Sequence, residues 1–484
     1  MIVVKCSEDN FIYDIHSLVK AFYPAEDIKV FAEGEKELSS TDGLPEFFVH
    51  LGKNDISVSI FCENSQSEKC CGNISYDDRA LYKNALKRTL YSLLSEYTGT
   101  CLPWGTLTGI RPTKIAMTLL SEGKSDEEIL SYMKDVYYAT DEKSKLAVSI
   151  AHYERDLLSQ IDYENGFSLY IGIPFCPSTC LYCSFTSFPI SMYRKMVCDY
   201  IAAVKKEIDF VADTMSDRVI DSVYIGGGTP TTLEADELRD LIEYVKSKLD
   251  LSHIKEFTVE AGRADSITRE KLETLYELGV TRISVNPQTM NEETLKIIGR
   301  KATAAATVEA YKLAREVGFD NINMDLIVGL PNETIDDVRD TLNKVSALAP
   351  DSLTVHSLAI KRASQLAQVI DEMGYETISN SDDIMSLASE VSESMNMEPY
   401  YLYRQKNMSG NFENVGYATP GKAGIYNVLI MEEVQSIVAL GAGTVTKRVY
   451  GDGRIERCDN VKDVKLYIEK IDEMIERKRQ LFSI

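Results

Sequence analysis

The sequence is short of basic residues and has no long apolar run. Its 484 residues include 52 Lys and Arg against 75 Asp and Glu, which gives a formal net charge of -23. A nucleic acid is not expected as the main partner, because phosphate binding requires a basic surface. The longest uncharged stretch in the C-terminal part, 434–446, is much shorter than the roughly 20 residues of a membrane-spanning helix, and no membrane span is expected.

Signals for export and for disorder are also missing. Glu8 and Asp9 come too early for a signal peptide. The composition, 44% hydrophobic and 26% charged, is typical of a globular protein and excludes collagen-like and largely disordered chains. We therefore expect a cytoplasmic protein of two to four domains, whose acidity serves solubility.

Histidine occurs five times and tryptophan once, whereas cysteine occurs ten times. Without an export signal, the thiols are expected to be reduced rather than joined in disulfides. Cys70 and Cys71 fall in the polar stretch 65–73, which predicts a loop or hairpin end. Five scattered cysteines are interpreted as small core residues: Cys6, Cys62, Cys101, Cys198 and Cys458.

Cys176, Cys180 and Cys183 have the spacing C-x3-C-x2-C. Three thiols this close cannot all point into one core, but they can surround a compact inorganic cluster. A structural zinc site needs four protein ligands, and no other Cys or His lies within ten residues on either side. An iron–sulfur cluster fits better, with zinc and coincidence as the alternatives. Three ligands would leave one iron of a four-iron cluster open for chemistry.

Residues 1–160 are predicted to form an N-terminal α+β domain. The pattern indicates a strand at 1–5, a helix at 13–22, a hairpin at 46–62, a helix ending before Gly99, and helices over 125–159. The turn-rich segment 103–114 contains the single tryptophan, Trp104, and predicts a structural corner, with a docking loop as the alternative.

Residues 161–395 alternate between short strands and amphipathic helices. This alternation predicts an α/β fold with a parallel sheet, closed into a partial or complete (β/α) barrel. Residues 396–484 are predicted to form a less regular C-terminal extension, with a strand near 400–404, an apolar run at 435–446 and an exposed charged helix over 461–482. The predicted core strands are 168–173, 222–225, 256–260, 281–285, 321–328 and 352–358.

Residues capable of chemistry lie at the ends of these strands. The cysteines follow the first strand, a glycine-rich turn at 226–230 follows the second, and Glu260, Gln288 and Asp325 mark the next three. Three consecutive glycines would let a ligand approach the backbone and use its free N–H groups. Glu260 needs a partner if it is buried, which would be Arg263, Arg282 or a ligand.

The segment Tyr-Ile-Gly-Ile-Pro-Phe-Cys-Pro-Ser-Thr-Cys-Leu-Tyr-Cys at 170–183 resembles the cluster loop of radical S-adenosylmethionine (SAM) enzymes, and especially the oxygen-independent coproporphyrinogen III oxidase group. The glycine turn, Glu260 and the stretches 279–299 and 325–331 are similar to that group's later motifs, in the same order. The stretch Trp-Gly-Thr-Leu-Thr-Gly-Ile-Arg-Pro-Thr-Lys at 104–114 resembles the HemZ-type coproporphyrinogen dehydrogenases.

This resemblance implies the site residues. Cys176, Cys180 and Cys183 would hold a [4Fe–4S] cluster, and the radical made from SAM would take hydrogen from a porphyrinogen propionate, which loses CO2 to leave a vinyl group. An electron donor such as flavodoxin or ferredoxin is implied as a partner. Tyr170, Glu260 and Asp325 are implied as catalytic. The implied SAM contacts are Tyr170, Tyr182, Gly227, Gly228, Thr229, Glu260, Gln288, Arg300, Asp325 and Ala359.

The sequence also departs from the group's pattern. Gly172 stands where the group usually has His, Phe185 where the characterised oxidases have a further Cys, and Lys301 and Ala302 where a His is frequent. Two alternatives therefore stay open: a haem-binding chaperone on the same scaffold, although Lys406 replaces its expected His, and a radical SAM enzyme with another substrate. If the substrate is a porphyrinogen, the basic residues at strand ends that we expect to receive its propionates are Lys361, Arg362, Arg404 and Lys406.

Overall fold

The computed structural model describes residues 1–32, 34, 38–41, 43–62, 65–109, 111–361, 363–374, 377–378, 380–405 and 408–483. These residues divide into two compact units. The first unit contains Met1–Ala151 and Tyr403–Glu413, and the second contains His152–Leu402 and Asn414–Ile484.

The first unit is built on a five-stranded sheet with the order β2-β1-β3-β4-β5, in which β1 is parallel to β2 and β3 and the other pairs are antiparallel. Along β3, Phe47 and Val49 are buried while Phe48 and His50 are exposed, so one sheet face carries the core. The elements are β1 (Ile2–Cys6), α1 (Ile12–Phe22), β2 (Ile28–Ala32), β3 (Glu46–Leu51), β4 (Asp55–Cys62), β5 (Ser65–Gly72), α2 (Arg79–Thr98), α3 (Thr113–Ser121), α4 (Asp126–Tyr137) and α5 (Asp141–Leu158), whose last turns belong to the second unit.

The predicted elements of this unit are confirmed, with one exception. The stretch 65–73 is not a loop, because β5 pairs with β4 along its whole length. It lies at the edge of the sheet, where polar side chains remain hydrated and only one side of the backbone needs a partner. A polar composition therefore did not exclude a strand here.

Trp104 occupies a buried corner of the first unit. Its side chain is fully buried, and Nε1 donates to Glu413 Oε2 at 2.6 Å. The other oxygen of Glu413 lies 2.9 Å from Nζ of Lys143, which is also buried. The structural-corner interpretation is confirmed, since the indole is enclosed and its N–H is satisfied.

The second unit contains an open eleven-stranded sheet with the order β14-β15-β13-β12-β11-β10-β9-β6-β16-β17-β18. Its elements are β6 (Gly166–Ile173), β7 (Phe175–Cys176), β8 (Phe188–Pro189), α6 (Ile190–Tyr193), α7 (Val197–Thr214), β9 (Val219–Gly227), α8 (Ala235–Lys248), β10 (Glu256–Gly262), α9 (Arg269–Glu277), β11 (Arg282–Val285), α10 (Glu292–Ile297), α11 (Ala304–Val317), β12 (Ile322–Val328), α12 (Ile335–Leu348), β13 (Ser352–Ser357), α13 (Leu366–Met373), α14 (Asp382–Ser394), β14 (Glu398–Tyr403), β15 (Asn414–Ala418), α15 (Ile425–Glu432), β16 (Ser436–Leu440), β17 (Val445–Val449), β18 (Ile455–Asp459), α16 (Val464–Glu469) and α17 (Ile471–Phe482).

The six strands β6 and β9 to β13 are parallel neighbours, and the partial barrel is confirmed. Strands from the predicted C-terminal extension lengthen both ends of this sheet, since β15 pairs with β13 and β16 pairs with β6. The division into domains at 160 and 395 stays a prediction.

Polar and apolar residues alternate along the parallel strands, so one face of the sheet is polar. Tyr170 is in register with Tyr224, Tyr224 with Thr258, and Glu260 with Ser284. Residues between them, such as Leu169 and Val223, are fully buried and apolar. Because successive side chains of a strand point to opposite faces, the polar residues line one common surface.

The C-terminal tail differs from its prediction. It is two helices rather than one, with the break at Lys470. It is not simply solvated, because the side chain of Lys478 is fully buried against Glu207 of α7. The burial of Lys478 was not predictable from the sequence, because the helix contains several other charged residues that are exposed. Within the described part of the chain, no helix combines the length and hydropathy that a bilayer crossing requires.

Candidate active site at the cysteine loop

The three cysteines lie on a loop that follows β6. Cys176 and Cys180 are 8% and 7% exposed, and Cys183 is half-buried. Cys183 N donates to Cys180 O at 3.1 Å, which keeps the last two thiols on one tight turn. The chain then folds back, so that β8 pairs with β7 and Pro189 lies opposite Cys176. All three thiols therefore belong to one compact loop at the carboxyl end of the sheet.

The glycine-rich turn after β9 packs directly against this loop. Gly228 N donates to Ile173 O at 2.8 Å, and Thr229 N donates to Phe175 O at 2.7 Å. A Cβ atom at Gly228 would lie 2.6 Å from Phe175 O and 3.0 Å from Cys176 Sγ. The expectation that these N–H groups are free for a ligand is wrong for Gly228 and Thr229, because they hold the cysteine loop in place. Gly227 has a φ of 109°, and a Cβ there would lie 3.4 Å from Ile173 N and from Tyr170 Oη, so this glycine also allows a close approach to β6.

Cationic and hydroxyl groups surround the thiols. Arg263 Nη1 lies 3.7 Å from Cys180 Sγ, and the same guanidinium forms an ion pair with Asp265 at 2.7 Å. Thr229 Oγ1 lies 3.5 Å from Cys176 Sγ. Burial raises the pKa of the Cys176 thiol to about 11, while the Thr229 hydroxyl and Arg263 lower it. These neighbours therefore favour the thiolate form that metal binding requires.

The thiols do not converge on one ion. Nowhere in the described ranges do three or more His, Cys, Asp or Glu side chains surround a position suited to a single metal ion. The donor set nevertheless fits an iron–sulfur cluster, because Cys thiolates are the usual protein ligands of such clusters. The cluster ligands remain a prediction at the level of each residue.

Glu260 lies on the polar face beside Tyr224. Tyr224 Oη donates to Glu260 Oε1 at 2.6 Å. Of the alternatives left open for its partner, the two arginines are engaged elsewhere, since Arg263 bonds Asp265 and Arg282 Nη2 donates to Ser352 Oγ at 3.0 Å. Burial raises the pKa of Glu260 to about 7, with a further contribution from the charge of Asp325, while the Tyr224 hydrogen bond opposes the shift.

Asp325 lies on β12 near a histidine that sequence reasoning missed. Asn323 Nδ2 donates to Asp325 Oδ1 at 2.6 Å, and His356 Nε2 is 4.0 Å from the same oxygen. Burial lowers the pKa of His356, although Asp325 opposes that shift, so the imidazole is neutral at pH 7. Its sequence signal is the alternation of Ser352, Thr354 and His356 along β13.

Gln288 is held in an unusual backbone conformation. Its φ is 66°, its N–H donates to Asp325 O at 2.9 Å, and its carbonyl accepts from Ile327 N at 2.9 Å. The side chain is 8% exposed, and its Oε1 has no hydrogen-bond partner among the described residues. A left-handed non-glycine residue and an unsatisfied buried amide are both costly, which is typical of a ligand site.

Arg300 adds further unsatisfied atoms at the same edge. Its Nη1 donates to Asn286 O, and Nη2 donates to Tyr182 Oη at 3.2 Å. Arg300 Nε and Asn286 Oδ1 find no partner within the residues that the structure describes. A polar ligand beside the cysteine loop would satisfy these atoms together with Gln288 Oε1, so the residues present fit SAM. Ala359 is half-buried just after β13, where Leu358 N donates to Val328 O at 3.0 Å.

Three stacked tyrosines form a wall of the site. The ring centroids of Tyr170 and Tyr224 are 6.0 Å apart, and those of Tyr224 and Tyr426 are 4.5 Å apart. Tyr426 comes from α15, whose first N–H groups at Ile425 and Tyr426 donate to the carboxylate of Glu256. Sequence reasoning missed Tyr224 and Tyr426, because their separation along the chain gives no sign of their stacking.

The basic residues that were expected to receive the substrate's propionates differ in their surroundings. Lys361 is half-buried, and its ammonium lies 5.5 Å from the ring centroid of Phe185 on the cysteine loop. Arg404 is buried, with its guanidinium bonded to Leu107 O and Asn411 O, so the prediction that it receives substrate is wrong. Arg362 and Lys406 lie outside the described residues.

Comparison with known proteins agrees with this architecture. The sequence model of one protein family, the radical SAM superfamily, matches residues 170–345. The oxygen-independent coproporphyrinogen-III oxidase-like protein HemZ of Bacillus subtilis is 41% identical over 413 residues, which cover 83% of this chain and 82% of that protein. The haem chaperone HemW of the same organism is 36% identical over 196 residues, covering 40% of this chain and 51% of that protein.

Among solved structures, the coproporphyrinogen III oxidase HemN from Escherichia coli, described as a radical SAM enzyme, aligns with a TM-score of 0.51 and 21% identity over 67% of this chain and 73% of that one. This likeness supports the fold. Radical SAM proteins use a [4Fe–4S] cluster and SAM. The sustained identity over most of both chains shows that this protein belongs to the radical SAM superfamily, in the family of HemZ-type coproporphyrinogen oxidase-like proteins.

Proposed function

We propose that the protein is a cytoplasmic radical SAM enzyme that oxidatively decarboxylates propionate side chains of coproporphyrinogen III to vinyl groups in porphyrin biosynthesis. The observation that carries the proposal is the group of unsatisfied polar atoms on Gln288, Asn286 and Arg300 near the three-cysteine loop. A SAM molecule bound at an open iron would place its polar groups there. The substrate is inferred from the name of the Bacillus subtilis relative.

We assign Cys176, Cys180 and Cys183 to the cluster and the neighbouring polar residues to SAM. When bound, the cluster and SAM supply the one-electron chemistry that removes a hydrogen atom from the substrate. The protein positions these groups and excludes water. The residues assigned to SAM are Tyr170, Tyr182, Gly227, Gly228, Thr229, Glu260, Gln288, Arg300, Asp325 and Ala359, with Gly228 and Thr229 acting mainly by holding the cysteine loop.

Glu260 and Asp325 would orient the ligand through hydrogen bonds. With a pKa near 7, Glu260 is partly protonated at neutral pH and can accept or donate, while Tyr224 keeps one oxygen fixed. His356 is neutral and faces Asp325, so it can exchange a hydrogen bond without adding a charge. The tyrosine stack of Tyr170, Tyr224 and Tyr426 shields this side of the site from water.

Lys361 is the described cation best placed for a substrate carboxylate. It is half-buried beside the cysteine loop, and its charge is close enough to Cys183 to influence that thiol. A protein of charge -23 repels a substrate with four propionates at long range, so a local cation is needed to admit it. Lys361→Ala should raise the substrate concentration needed for half-maximal rate more than it slows SAM cleavage.

Anaerobic reconstitution with iron and sulfide, followed by an assay with SAM and coproporphyrinogen III, tests the proposal. We expect an oxygen-sensitive absorbance in the visible region and SAM cleavage when dithionite is the reductant. With coproporphyrinogen III we also expect CO2 release and vinyl formation. Ala at any of the three cysteines should abolish the absorbance. Cys198→Ala is the control, since Cys198 lies outside the loop and is exposed, as Cys101 is, so the interpretation of these two as core residues is wrong. Stoichiometric zinc without iron in anaerobically purified protein would contradict the assignment.

A haem chaperone is the second candidate, because relatives named HemW also match this chain. The two functions separate in one experiment on the reconstituted protein. Tight haem binding with SAM turnover but no decarboxylation would favour the chaperone. Decarboxylation with weak haem binding would favour the enzyme.

A further inference from the structure

A group of buried cations lies within the first unit, apart from the residues of the cysteine-loop site. Lys87 of α2 is 9% exposed, Arg404 is 3% exposed and Lys143 is 2% exposed. The buried carboxylate of Glu413 pairs with Lys143 at 2.9 Å, so these two charges neutralise each other. The positive charges of Lys87 and Arg404 remain. Such an excess is unexpected in a chain of net charge -23, because an unpaired buried charge is costly.

Contacts with two consecutive residues of the segment 103–114 bring Lys87 and Arg404 together. Lys87 Nζ donates to Thr108 Oγ1 at 3.3 Å, and Arg404 Nη1 donates to the carbonyl of the preceding residue, Leu107. The Arg404 guanidinium also lies 6.0 Å from the ring centroid of Trp104. Both cations therefore lie against one short stretch of backbone.

The surroundings of Lys87 and Arg404 do not neutralise them. Burial lowers the pKa of Lys87 to about 8, and the charge of Arg404 adds to this shift, whereas Asp14 opposes it. Burial also lowers the pKa of Arg404 to about 10 against the opposing charge of Glu413. None of the carboxylates that the structure describes forms an ion pair with either cation, since their hydrogen bonds end at hydroxyl, carbonyl and amide oxygens. An anion would be attracted to this position.

Hydrogen-bond donors without acceptors lie beside these cations. Arg404 Nη2 donates to Asn411 Oδ1 at 2.5 Å, which fixes the orientation of that amide. Asn411 Nδ2 and Arg404 Nε are buried and have no hydrogen-bond partner in the described part of the chain. The Lys87 ammonium carries three hydrogens, and Thr108 accepts one of them. Every unused group is a donor, so the position lacks an acceptor with several oxygen atoms.

Thr108 and Gly109 mark the side from which a small ion can reach Lys87. Thr108 is half-buried and Gly109 is exposed. A Cβ atom at Gly109 would meet nothing within 4 Å, so the backbone there borders open space. Because the Lys87 ammonium bonds the Thr108 hydroxyl, it lies one residue away from this opening.

We propose that Lys87, Arg404 and Asn411 form a phosphate-binding site in the first unit. A phosphate group carries about 1.5–2 negative charges at neutral pH and three strong acceptor oxygens, which match two unpaired cations and the unused donors. A carboxylate would supply a single charge. The same atoms would bind inorganic phosphate and the phosphate group of a phosphorylated metabolite. The site lies beyond the proposed enzymatic function and does not depend on it.

The emission of Trp104 reports on this site, because the Arg404 guanidinium lies close to the only indole of the chain. Inorganic phosphate is titrated into the full-length reconstituted protein, with the ionic strength held constant by sodium chloride. We expect a saturable change in emission and a urea midpoint that rises with phosphate. Acetate should need a concentration roughly tenfold higher or more. Absence of a saturable response to phosphate, or saturation by acetate at a lower concentration, would overturn the assignment.

Lys87→Met tests the cation directly. It should weaken phosphate binding roughly tenfold or more, because a hydrogen bond between charged groups is lost. Without phosphate it should raise the urea midpoint, since a buried charge without an anion has been removed. Lys83→Met is the matched control, because Lys83 is exposed one turn earlier on α2, and it should change phosphate affinity less than twofold. Equal phosphate affinity in wild type and Lys87→Met would overturn the site.

Thr108→Val provides a second variant at a half-buried position, where the fold tolerates the change more easily. It removes the hydroxyl that holds the Lys87 ammonium, and phosphate binding should weaken about threefold or more. If Lys87→Met does not fold, unchanged phosphate affinity in Thr108→Val would overturn the site instead.

Two competition experiments locate the phosphate and identify its source. Saturating SAM should not displace phosphate, and phosphate should not change the visible absorbance of the reconstituted protein. Competition between the two would place phosphate at the cysteine loop and overturn the site. Tighter binding of glycerol 3-phosphate than of inorganic phosphate would assign the site to a phosphorylated metabolite, and the reverse order would assign it to the free ion. Failure to form a cluster would count against the proposed function alone, because the Trp104 titration does not require one.

Discussion

At the residue scale, two carboxyl groups have similarly raised pKa values but different hydrogen-bond partners. Burial raises the pKa of both Glu260 and Glu333 to about 7. Glu260 accepts from Tyr224, whereas Glu333, which is not among the residues assigned to SAM, accepts from Thr289 Oγ1 at 2.5 Å. The pair therefore separates the effect of a raised pKa from the effect of ligand contact.

We expect both carboxyls to destabilise the folded protein as the pH rises. The folded pKa exceeds the ordinary value of 4.5, so the folded state binds the proton more tightly, and stability is greatest below pH 4.5 and falls as the pH passes 7. Glu260→Gln and Glu333→Gln should each raise the free energy of unfolding at pH 8 by about 2 kcal/mol, with less gain at pH 5. Urea denaturation of the cluster-free protein at both pH values measures this.

Only one of these variants should affect SAM. A hydrogen bond to a charged ligand contributes about 1.5–3 kcal/mol, so Glu260→Gln should weaken SAM binding roughly ten- to hundredfold in the reconstituted protein. Glu333→Gln is the control and should bind SAM normally. Equal loss of SAM affinity in both would show that the effect comes through stability rather than contact.

Gly228 permits the closest approach between two loops of the site. In Gly228→Ala the added Cβ would meet Phe175 O at 2.6 Å and Cys176 Sγ at 3.0 Å, so one loop must move. Overpacking of this kind costs about 1–3 kcal/mol, and we expect iron incorporation to fall by half or more. Iron content and visible absorbance after anaerobic reconstitution measure the loss. Gly451→Ala, where a Cβ would meet nothing within 4 Å and the backbone is not left-handed, should incorporate iron normally.

At the element scale, periodicity predicted most of the second unit. The period-two and helical patterns between residues 166 and 358 identified all six parallel strands and the longer helices α7, α8, α9, α11 and α12, but not the short helices α6 and α10. The spacing of Cys176, Cys180 and Cys183 identified the loop. The partner of Glu260 was not predictable, because Tyr224 reaches it only through the register of β9 with β10. Tyr426 lies on a distant helix that no local pattern connects to the sheet.

The last helix depends on a buried charge network that sequence reasoning did not reveal. Lys478 of α17 forms an ion pair with Glu207 of α7, and both side chains are fully buried. Asn460 Nδ2 donates to Glu207 Oε1 at 3.0 Å, and Gly441 N donates to Glu207 Oε2 at 2.8 Å. The network therefore joins α7, α17 and the loop after β16 through one carboxylate.

Replacing Lys478 should lower the free energy of unfolding, because the buried carboxylate of Glu207 then has no cation beside it. Lys478→Met leaves Glu207 buried without its cation, and breaking such a pair costs about 3–5 kcal/mol of unfolding free energy. Arg477→Met is the matched control, because Arg477 is exposed and pairs with Glu473 on the surface, where the loss is about 0–1 kcal/mol. Chemical denaturation followed by circular dichroism measures both. A double variant that also carries Glu207→Gln should recover much of the loss, and equal destabilisation by the two single variants would contradict a buried pair.

At the scale of the whole molecule, the first unit contains two separate parts of the chain. Residues Tyr403–Glu413 belong to the same compact unit as Met1–Ala151, and Glu413 bonds both Trp104 and Lys143 there. A fragment that ends at residue 160 would lack this segment. The single tryptophan is therefore a spectroscopic reporter of one unit only.

Glu413→Ala should destabilise the first unit. It leaves the Trp104 N–H and the Lys143 ammonium buried without their shared acceptor, which costs about 3–5 kcal/mol. We expect a red-shifted tryptophan emission and a lower urea midpoint by fluorescence. Glu142→Ala is the control, because Glu142 also contacts Lys143 but is 56% exposed, and its loss should cost about 1 kcal/mol or less. An unchanged fluorescence midpoint in Glu413→Ala would contradict the role of this corner.

The late position of Glu413 has a consequence for biosynthesis. A ribosome releases residues from the N-terminus onward, and domains usually fold in that order as they emerge. Trp104 must wait for the synthesis of 309 further residues, and Lys143 for 270, before their shared carboxylate exists. During translation the nascent first unit would carry a tryptophan N–H without its acceptor and a lysine paired only with the exposed Glu142, so it would be a client for a chaperone at the exit tunnel until residues 403–413 are made.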